Sequence, residues 1–340
     1  MAGKIPPKVM EKLIYTRIGV RDPNVLVGPS VGEDAALIDL GDERILVVHN
    51  DAISGASEFL GWLSVHIVAN DIAVRGVKPR WFLMSLFLPE SSPEDFLNKI
   101  MVQIDEAAKE LGIMVVGGHT ERTSGIDRPL VGTTAIGIAK KDKIVTTSGA
   151  KAGDYLIMTK TAAIEGTAIL CTDFASVLKN MGVKDEKIEK GAKFLTNISV
   201  AREALALAEM GLVTAMHDPT EGGILGGVSE LAYASHKTIE LWTDNVPIAD
   251  ETKLIAENLG IDVLRLISSG ALIATVPSDK MDKALNVLQN LGIGAAVIGR
   301  VKDYAGHLVE VMRDSSLIEV LNDVYVTDEI FRLWEKFKRT

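Results

Sequence analysis

With 340 residues, 47% of them hydrophobic and 24% charged, the chain can bury one large core or two medium ones, and its length favours two domains. A formal net charge of -10 argues against nucleic acid or an anionic membrane as partner, since both ask for a basic face; small anions would need a cation or helix N-termini. The single cysteine, Cys171, permits no intrachain disulfide and no cysteine-based zinc site. Together with the lack of an apolar leader or any eighteen-residue apolar run, this predicts a cytoplasmic protein without a membrane span.

In chain order, residues 1–34 read as an amphipathic N-terminal helix (8–18) and a flexible Gly-, Pro- and Asp-rich loop. Two apolar, β-branched runs, 35–40 and 44–49, flank Gly41-Asp42 and predict a hairpin. Centred near Asp42-Glu43, that hairpin would set Asp34, in Gly-Glu-Asp-Ala-Ala (32–36), opposite Asp51, in Val-His-Asn-Asp-Ala (48–52). A helix is predicted over 61–75, with Leu60, Leu63, Ile67, Asp71 and Val74 along one face, so Asp71 stands where the stripe asks for an apolar residue. Each aspartate alone could cap a turn or helix. Three together in apolar segments repel one another, and a cation between them, Mg²⁺, is the economical explanation.

Strand 81–88, helix 93–111 with Ser92 as N-cap and Pro93 at its first position, and strand 113–116 follow. The last runs into Gly117-Gly118-His119-Thr120-Glu121, read either as a strand-end loop that admits a phosphate or metal or as a plain glycine turn. His119 shares that ambiguity between a site residue and a hydrogen-bonded turn residue. Strand 131–139 completes an α+β layer, and 140–154, which loses periodicity, marks the domain boundary.

The second unit reads as strand 155–159, helical material over 161–179, a charged patch at 184–190, helix 199–210 and strand 213–216. His-Asp-Pro-Thr-Glu-Gly-Gly (217–223) leads into a helix up to Ser235, whose first turns hold Gly222, Gly223, Gly226 and Gly227. Such a run needs a reason, either close packing or N–H groups facing an anion at the helix N-terminus. His217 and Asp218, just before that helix, are placed to orient a substrate or move a proton. Strands near 238–242 and 271–276, helix 279–291 and strand 295–301 close the series.

The aspartate runs, Gly-Gly-His-Thr, His-Asp-Pro-Thr-Glu-Gly-Gly, Ser268-Ser269-Gly270-Ala271-Leu272 and Ile298-Gly299-Arg300-Val301 occur in an order that resembles the aminoimidazole ribonucleotide synthetase (PurM-like) superfamily. Among its branches the chain is most similar to the hydrogenase-maturation factors HypE. The resemblance implies two α/β domains, an N-terminal ATP-binding one (35–148) that dimerises through its sheet and a C-terminal sandwich (149–340) folding over it. It also implies ATP with Mg²⁺ in the cleft. By motif position Asp34, Asp51 and Asp71 would hold the metal, and Asn70, Gly117, Gly118, Thr120, Thr220, Gly222 and Gly223 would contact the nucleotide. His119, His217 and Asp218 are the candidates for proton transfer.

Three departures shape the expectation. HypE acts on a cysteine at its own C-terminus, whereas this sequence ends Lys336-Phe337-Lys338-Arg339-Thr340, so that self-reaction is not expected. Selenophosphate synthetase is disfavoured because the N-terminal loop lacks that family's cysteine or selenocysteine and nearby lysine. At position 119 a histidine replaces the acid of several branches. The expected function is Mg-ATP-dependent activation of an amide or carbonyl oxygen on a small-molecule or protein acceptor, by a homodimer; the alternative is a non-catalytic nucleotide-binding scaffold in a maturation complex.

Overall fold

The computed structural model describes residues 3–53, 56 and 58–337. Residues 1 and 2 of the N-terminal segment and 338–340 of the tail read for a cysteine lie outside that set. The first unit carries β1 (Val25–Val27), β2 (Ala36–Asp39), β3 (Arg44–Ile53), β4 (Pro79–Pro89), β5 (Met114–Thr123) and β6 (Leu130–Lys140), in the order β1-β2-β3-β6-β4-β5. Its helices are α1 (Pro7–Leu13), α2 (Leu60–Ala73) and α3 (Glu94–Leu111). Neighbouring strands run antiparallel except β4 and β5, which the α3 crossover makes parallel. Along β6 buried and half-buried residues alternate from Leu130 to Ile138, as a sheet with one face on a core requires.

The second unit carries β7 (Tyr155–Thr159), β8 (Ala215–His217), β9 (Lys237–Trp242), β10 (Ile273–Val276), β11 (Ala295–Asp303), β12 (Val309–Arg313) and β13 (Ser316–Leu321), in the order β13-β12-β9-β11-β7-β10-β8. Its helices are α4 (Ile164–Thr172), α5 (Ala175–Asn180), α6 (Asp185–Ala192), α7 (Ala201–Glu209), α8 (Gly223–Ser235), α9 (Asp250–Leu259), α10 (Met281–Asn290) and α11 (Glu329–Phe337). Both faces of this sheet are covered. Leu156, Met158 and Ile273 pack with Ile224, Leu225 and Val228 of α8 on one side. Ile157, Ala274 and Val276 pack with Leu207 of α7 and Leu288 of α10 on the other. The molecule is therefore a two-domain mixed α/β protein, and among its described residues no helix is long and apolar enough to cross a membrane.

The units share a core. One apolar cluster joins Leu63, Ile67 and Phe82 of the first to Ile169, Leu170 and Phe174 of the second and to Ile330 and Leu333 of α11. This explains why α2 carries no polar face: every residue from Leu60 to Ala73 except Trp62 is buried. Asn70 is part of that seam, its amide donating to Ile198 O (3.0 Å) while its oxygen accepts from Val200 N–H (2.9 Å).

Several expected details shift. Gly41, Asp42 and Glu43 all take positive φ, and Ala36 pairs with Val48 and Asp39 with Ile45, so the register continued outward brings Asp34 beside Asn50, not Asp51. Helix α3 begins at Glu94 with extended Pro93 as its N-cap, because proline there fixes φ at -72° with ψ 160°; Ser92 makes no cap hydrogen bond. The helical stretch 161–179 breaks at Asp173 and Phe174 into α4 and α5. Strand β5 does not stop at Val116 but runs through Gly117, Gly118, His119 and Thr120 to Thr123. Gly118 is glycine for packing: a β-carbon there would collide with the Met84 carbonyl on β4.

Candidate active site

A cavity of about 300 Å³ lies between the units, lined by Asp34, Asp51 and Asp71 from the first and by His217, Asp218, Thr220 and Glu230 from the second. Around it the sequence-predicted aspartates separate into two groups. Asp51 and Asp71 stand with His49, and Asp34 stands with His217 and Asp218; within each group the ligand atoms lie within 4.8 Å of one another. Asp71 reaches the cavity from the C-terminal end of α2, and Asp51 from β3, two residues beyond His49 on the same face of the strand.

Asp34 is fully engaged. Arg75, entirely buried, reaches it at Oδ2 through Nη2 (2.7 Å), and the same nitrogen donates to Thr147 Oγ1 (2.8 Å) and the Met216 carbonyl (2.7 Å) while Nη1 meets Glu33 (2.7 Å). His217 Nδ1 pairs with Asp34 Oδ1 at 2.6 Å, and its Nε2 with Glu230 Oε2 at 3.0 Å. Glu230 Oε1 in turn holds the Lys4 ammonium at 2.9 Å. The result is a chain of alternating charge, Lys4–Glu230–His217–Asp34–Arg75, drawn from the N-terminal segment and both domains.

Electrostatics follow from these contacts. Burial alone would lower the His217 pKa, but Asp34 and Glu230 on its two nitrogens outweigh it and push it up to about 10. Burial likewise opposes ionised Glu230, yet Lys4 and His217 pull its carboxyl down to about 2. Asp34 also stays below the usual carboxylate range because His217 and Arg75 overcome its desolvation.

The other two buried aspartates have no such support. Asp218 is 1% exposed, and neither of its oxygens has a hydrogen-bond partner; Asp71 Oδ2 has none either, with only His49 Nε2 at 3.5 Å. Burial drives both carboxyls well above their ordinary value, with Asp218 and Asp51 adding to the effect on Asp71 and Asp34 adding to that on Asp218. Burial also holds the His49 ring below its ordinary value, so it brings Asp71 no compensating charge at neutral pH. Two uncompensated buried carboxylates on one cavity are costly, and a hard cation is the ligand that would repay them.

The remaining predicted residues fall elsewhere. Gly117, Gly118, His119 and Thr120 lie on β5, three strands from β3 across the sheet and so roughly 14 Å away within one chain. His119 is exposed and bonds to Glu121 (3.0 Å). Thr220 borders the cavity, but Gly222 and Gly223 are buried behind it. Gly222 N–H donates to Asp328 (2.7 Å), which occupies the start of α8, and a β-carbon at Gly223 would meet the Leu264 and Leu266 carbonyls. Packing, not a free anion-binding end, accounts for these glycines.

Arg75, His49, Glu230 and Lys4 escaped the sequence reading. Arg75 follows Asp71 by one helical turn and His49 precedes Asp51 by one strand period, which were usable signals. Glu230 and Lys4 had none.

Comparison with known proteins agrees with this architecture. The AIR synthase related protein N-terminal domain matches residues 32–139, and the corresponding C-terminal domain matches 151–311. A putative hydrogenase expression/formation protein of Methanocaldococcus jannaschii is 27% identical over 331 residues, 94% of each chain. Carbamoyl dehydratase HypE of Cupriavidus necator is 28% identical over 258 residues, 74% of this chain and 70% of its own. A crystal structure of hydrogenase maturation protein HypE in complex with ATP superposes with a TM-score of 0.71 at 24% identity, over 95% of this chain and 96% of that one. The chain thus belongs to the AIR synthase-related, PurM-like family, close to HypE.

Proposed function

We propose that the chain is a Mg-ATP-dependent enzyme, working as a homodimer, that activates an amide or carbonyl oxygen of an acceptor by phosphorylation. The observation that carries this reading is the pair of buried carboxylates, Asp71 and Asp218, facing one cavity with oxygens that no donor in the protein satisfies. Asp71 with Asp51 in one group, and Asp218 in the neighbouring one, offer the hard oxygen donors that suit Mg²⁺, which keeps water and phosphate in the rest of its shell. Asp34 is the poorer ligand, since both of its oxygens already meet cations. Bound there, the ion would neutralise the phosphates of ATP. The ATP complex of the HypE neighbour supports the choice of nucleotide.

The chain's own residues supply the rest. Lys4 brings an ammonium to the cavity wall, where Glu230 anchors it within reach of a phosphate. His217 stays protonated through neutral pH, so it holds a fixed positive charge beside Asp218 and orients Asp34; it does not take up a proton. The exposed residues Met114, Val115 and Val116 on the unpaired edge of β5 support a second copy as partner, because a bare apolar edge invites a further strand or sheet. Calorimetry with Mg-ATP tests the proposal: wild type should bind, and Asp71→Asn and Asp218→Asn should each lose Mg-dependent affinity while keeping native circular dichroism. ADP release in the presence of candidate acceptors then separates an enzyme from a scaffold, which would bind without turnover.

A further inference from the structure

A second chamber of about 50 Å³ adjoins the first, with Asp51, Thr220 and Glu221 lining both. Most of its wall is apolar, built by Ile53 and Ile67 of the first domain, Ile169 and Ile267 of the second, and Phe331 of α11. Two polar groups on that wall are unused. Glu165 and Ser269 are 4% and 0% exposed, and Glu165 Oε2 and Ser269 Oγ have no well-formed hydrogen bond, although the hydroxyl lies close enough to act on the carboxyl's charge.

Local structure holds both in place. Ala163 adopts φ 57° ahead of α4, and its N–H donates to the Ser268 hydroxyl (2.8 Å). Glu165 N–H, in the first turn of α4, donates to the Ser269 carbonyl (3.2 Å). Ser268 of the Ser-Ser-Gly run therefore serves the fold, and its neighbour Ser269 faces the chamber.

The chemistry selects the occupant. Glu165 is raised to about 8 by burial, with Glu221, Asp328 and Asp51 adding their repulsion. An anion would be repelled there, whereas a cation meets the carboxyl oxygen that nothing in the protein satisfies and, by drawing Glu165 into its ionised form, gains an attraction that a neutral group does not. At about 10–15 Å³ per water-sized group, the chamber takes a head of about four heavy atoms and no nucleotide. We infer that this chamber receives a small cationic nitrogen head, an alkylammonium or amidinium, of the acceptor, held by Glu165 and Ser269 on an apolar-walled floor. Through the wall at Asp51 and Thr220, the next atoms of such an acceptor would face the first cavity. Their activation there rests on the Mg-ATP reading, but the binding of the head does not.

The test uses saturation-transfer NMR and calorimetry on the full chain with ethylammonium and acetamidinium, against acetamide and acetate at matched ionic strength. So small a ligand should bind with a Kd on the order of millimolar. Ethylammonium or acetamidinium should bind at least tenfold more tightly than acetamide, acetate should not bind, and Glu165→Gln and Ser269→Ala should each weaken the cation tenfold or more while melting normally. Should either variant fold poorly, the other and the ligand ranking still decide. Acetamide binding as well as the cations, no binding of any of them because the chamber holds ordered water only, or unchanged affinity in both folded variants would overturn the inference. Mg-ATP titrated separately into wild type distinguishes the two readings: cation binding without Mg-ATP binding rejects only the ATP site, and the converse rejects only this chamber.

Discussion

Replacing Arg75 by methionine tests whether the charge chain holds the two domains in register. The guanidinium is fully buried and donates to Glu33, Asp34, Thr147 and the Met216 carbonyl, so its loss takes from Asp34 one of its two cationic partners and leaves its Oδ2 and the Met216 carbonyl to share the one long hydrogen bond that Thr147 Oγ1 can offer (3.4 Å). Removing one partner of a buried ion pair costs about 3–5 kcal/mol. With an unfolding entropy of about 2.1 cal/mol/K per residue over 340 residues, a loss of about 4 kcal/mol lowers Tm by about 6 °C. Differential scanning calorimetry reads the shift directly. Because removing both partners avoids the stranded charge, Arg75→Met combined with Asp34→Asn should recover part of the loss. A single variant melting within 1 °C of wild type, or a double variant whose losses simply add, would refute the reasoning.

His217, raised to about 10, contributes stability fully present below its ordinary 6.5 and lost as pH rises through 10; Glu230, lowered to about 2, contributes stability present above 4.5 and lost as pH falls through 2. Urea unfolding of wild type should therefore weaken from pH 7 to 10 along a slope that His217→Gln flattens; an unchanged slope removes His217 from the account. In metal-free buffer Asp71→Asn should raise stability by about 1 kcal/mol, because it relieves an uncompensated buried carboxylate, and a fall in Tm would count against Asp71 as a cation ligand. Gly118→Ala should cost about 1–3 kcal/mol, since Gly118 sits at φ 154° with the Met84 carbonyl against it, and hydrogen exchange should quicken along β5. Protection of β5 unchanged from wild type would contradict the packing role of that glycine.

Much of the fold was legible because local signals agreed with the final packing. Strand β7 falls at the predicted 155–159, and helix α8 ends at Ser235 as read. The failures have particular causes. Asp71 lay on a face that looked like a stripe, but α2 is enclosed by both domains, so its burial owed nothing to amphipathicity. Gly117-Gly118 carries the signature of a turn, yet Gly118 serves a close approach between β4 and β5, a demand set by a strand thirty-odd residues away. Hairpin register and motif position both point to Asp34 as a metal ligand, and it does line the cavity, but its partners there, Arg75 and His217, come one from each domain and no local pattern announces them. Asp328 at the start of α8 and the meeting of Glu165 with Ser269 depend on tertiary proximity that no spacing announces.

The apolar cluster that runs from Leu63 through Leu170 to Leu333 also decides how a ligand gets in. Parting the two sheets would wet that cluster and break the Asn70 clamp, a large cost for admitting a ligand. The segment carrying Lys4, Pro7 and Met10 covers the same cavity and is held by Lys8 to Asp323, Glu11 to Tyr233 and Lys4 to Glu230, by buried Pro7 and by Tyr15 against the second domain's core. Displacing that one short segment would break far fewer contacts than parting the sheets, so it is the smaller barrier in front of the cavity. Since that segment carries Lys4, uncovering the cavity would also take the ammonium away from Glu230, so access to the site and its charge balance are set by the same few residues.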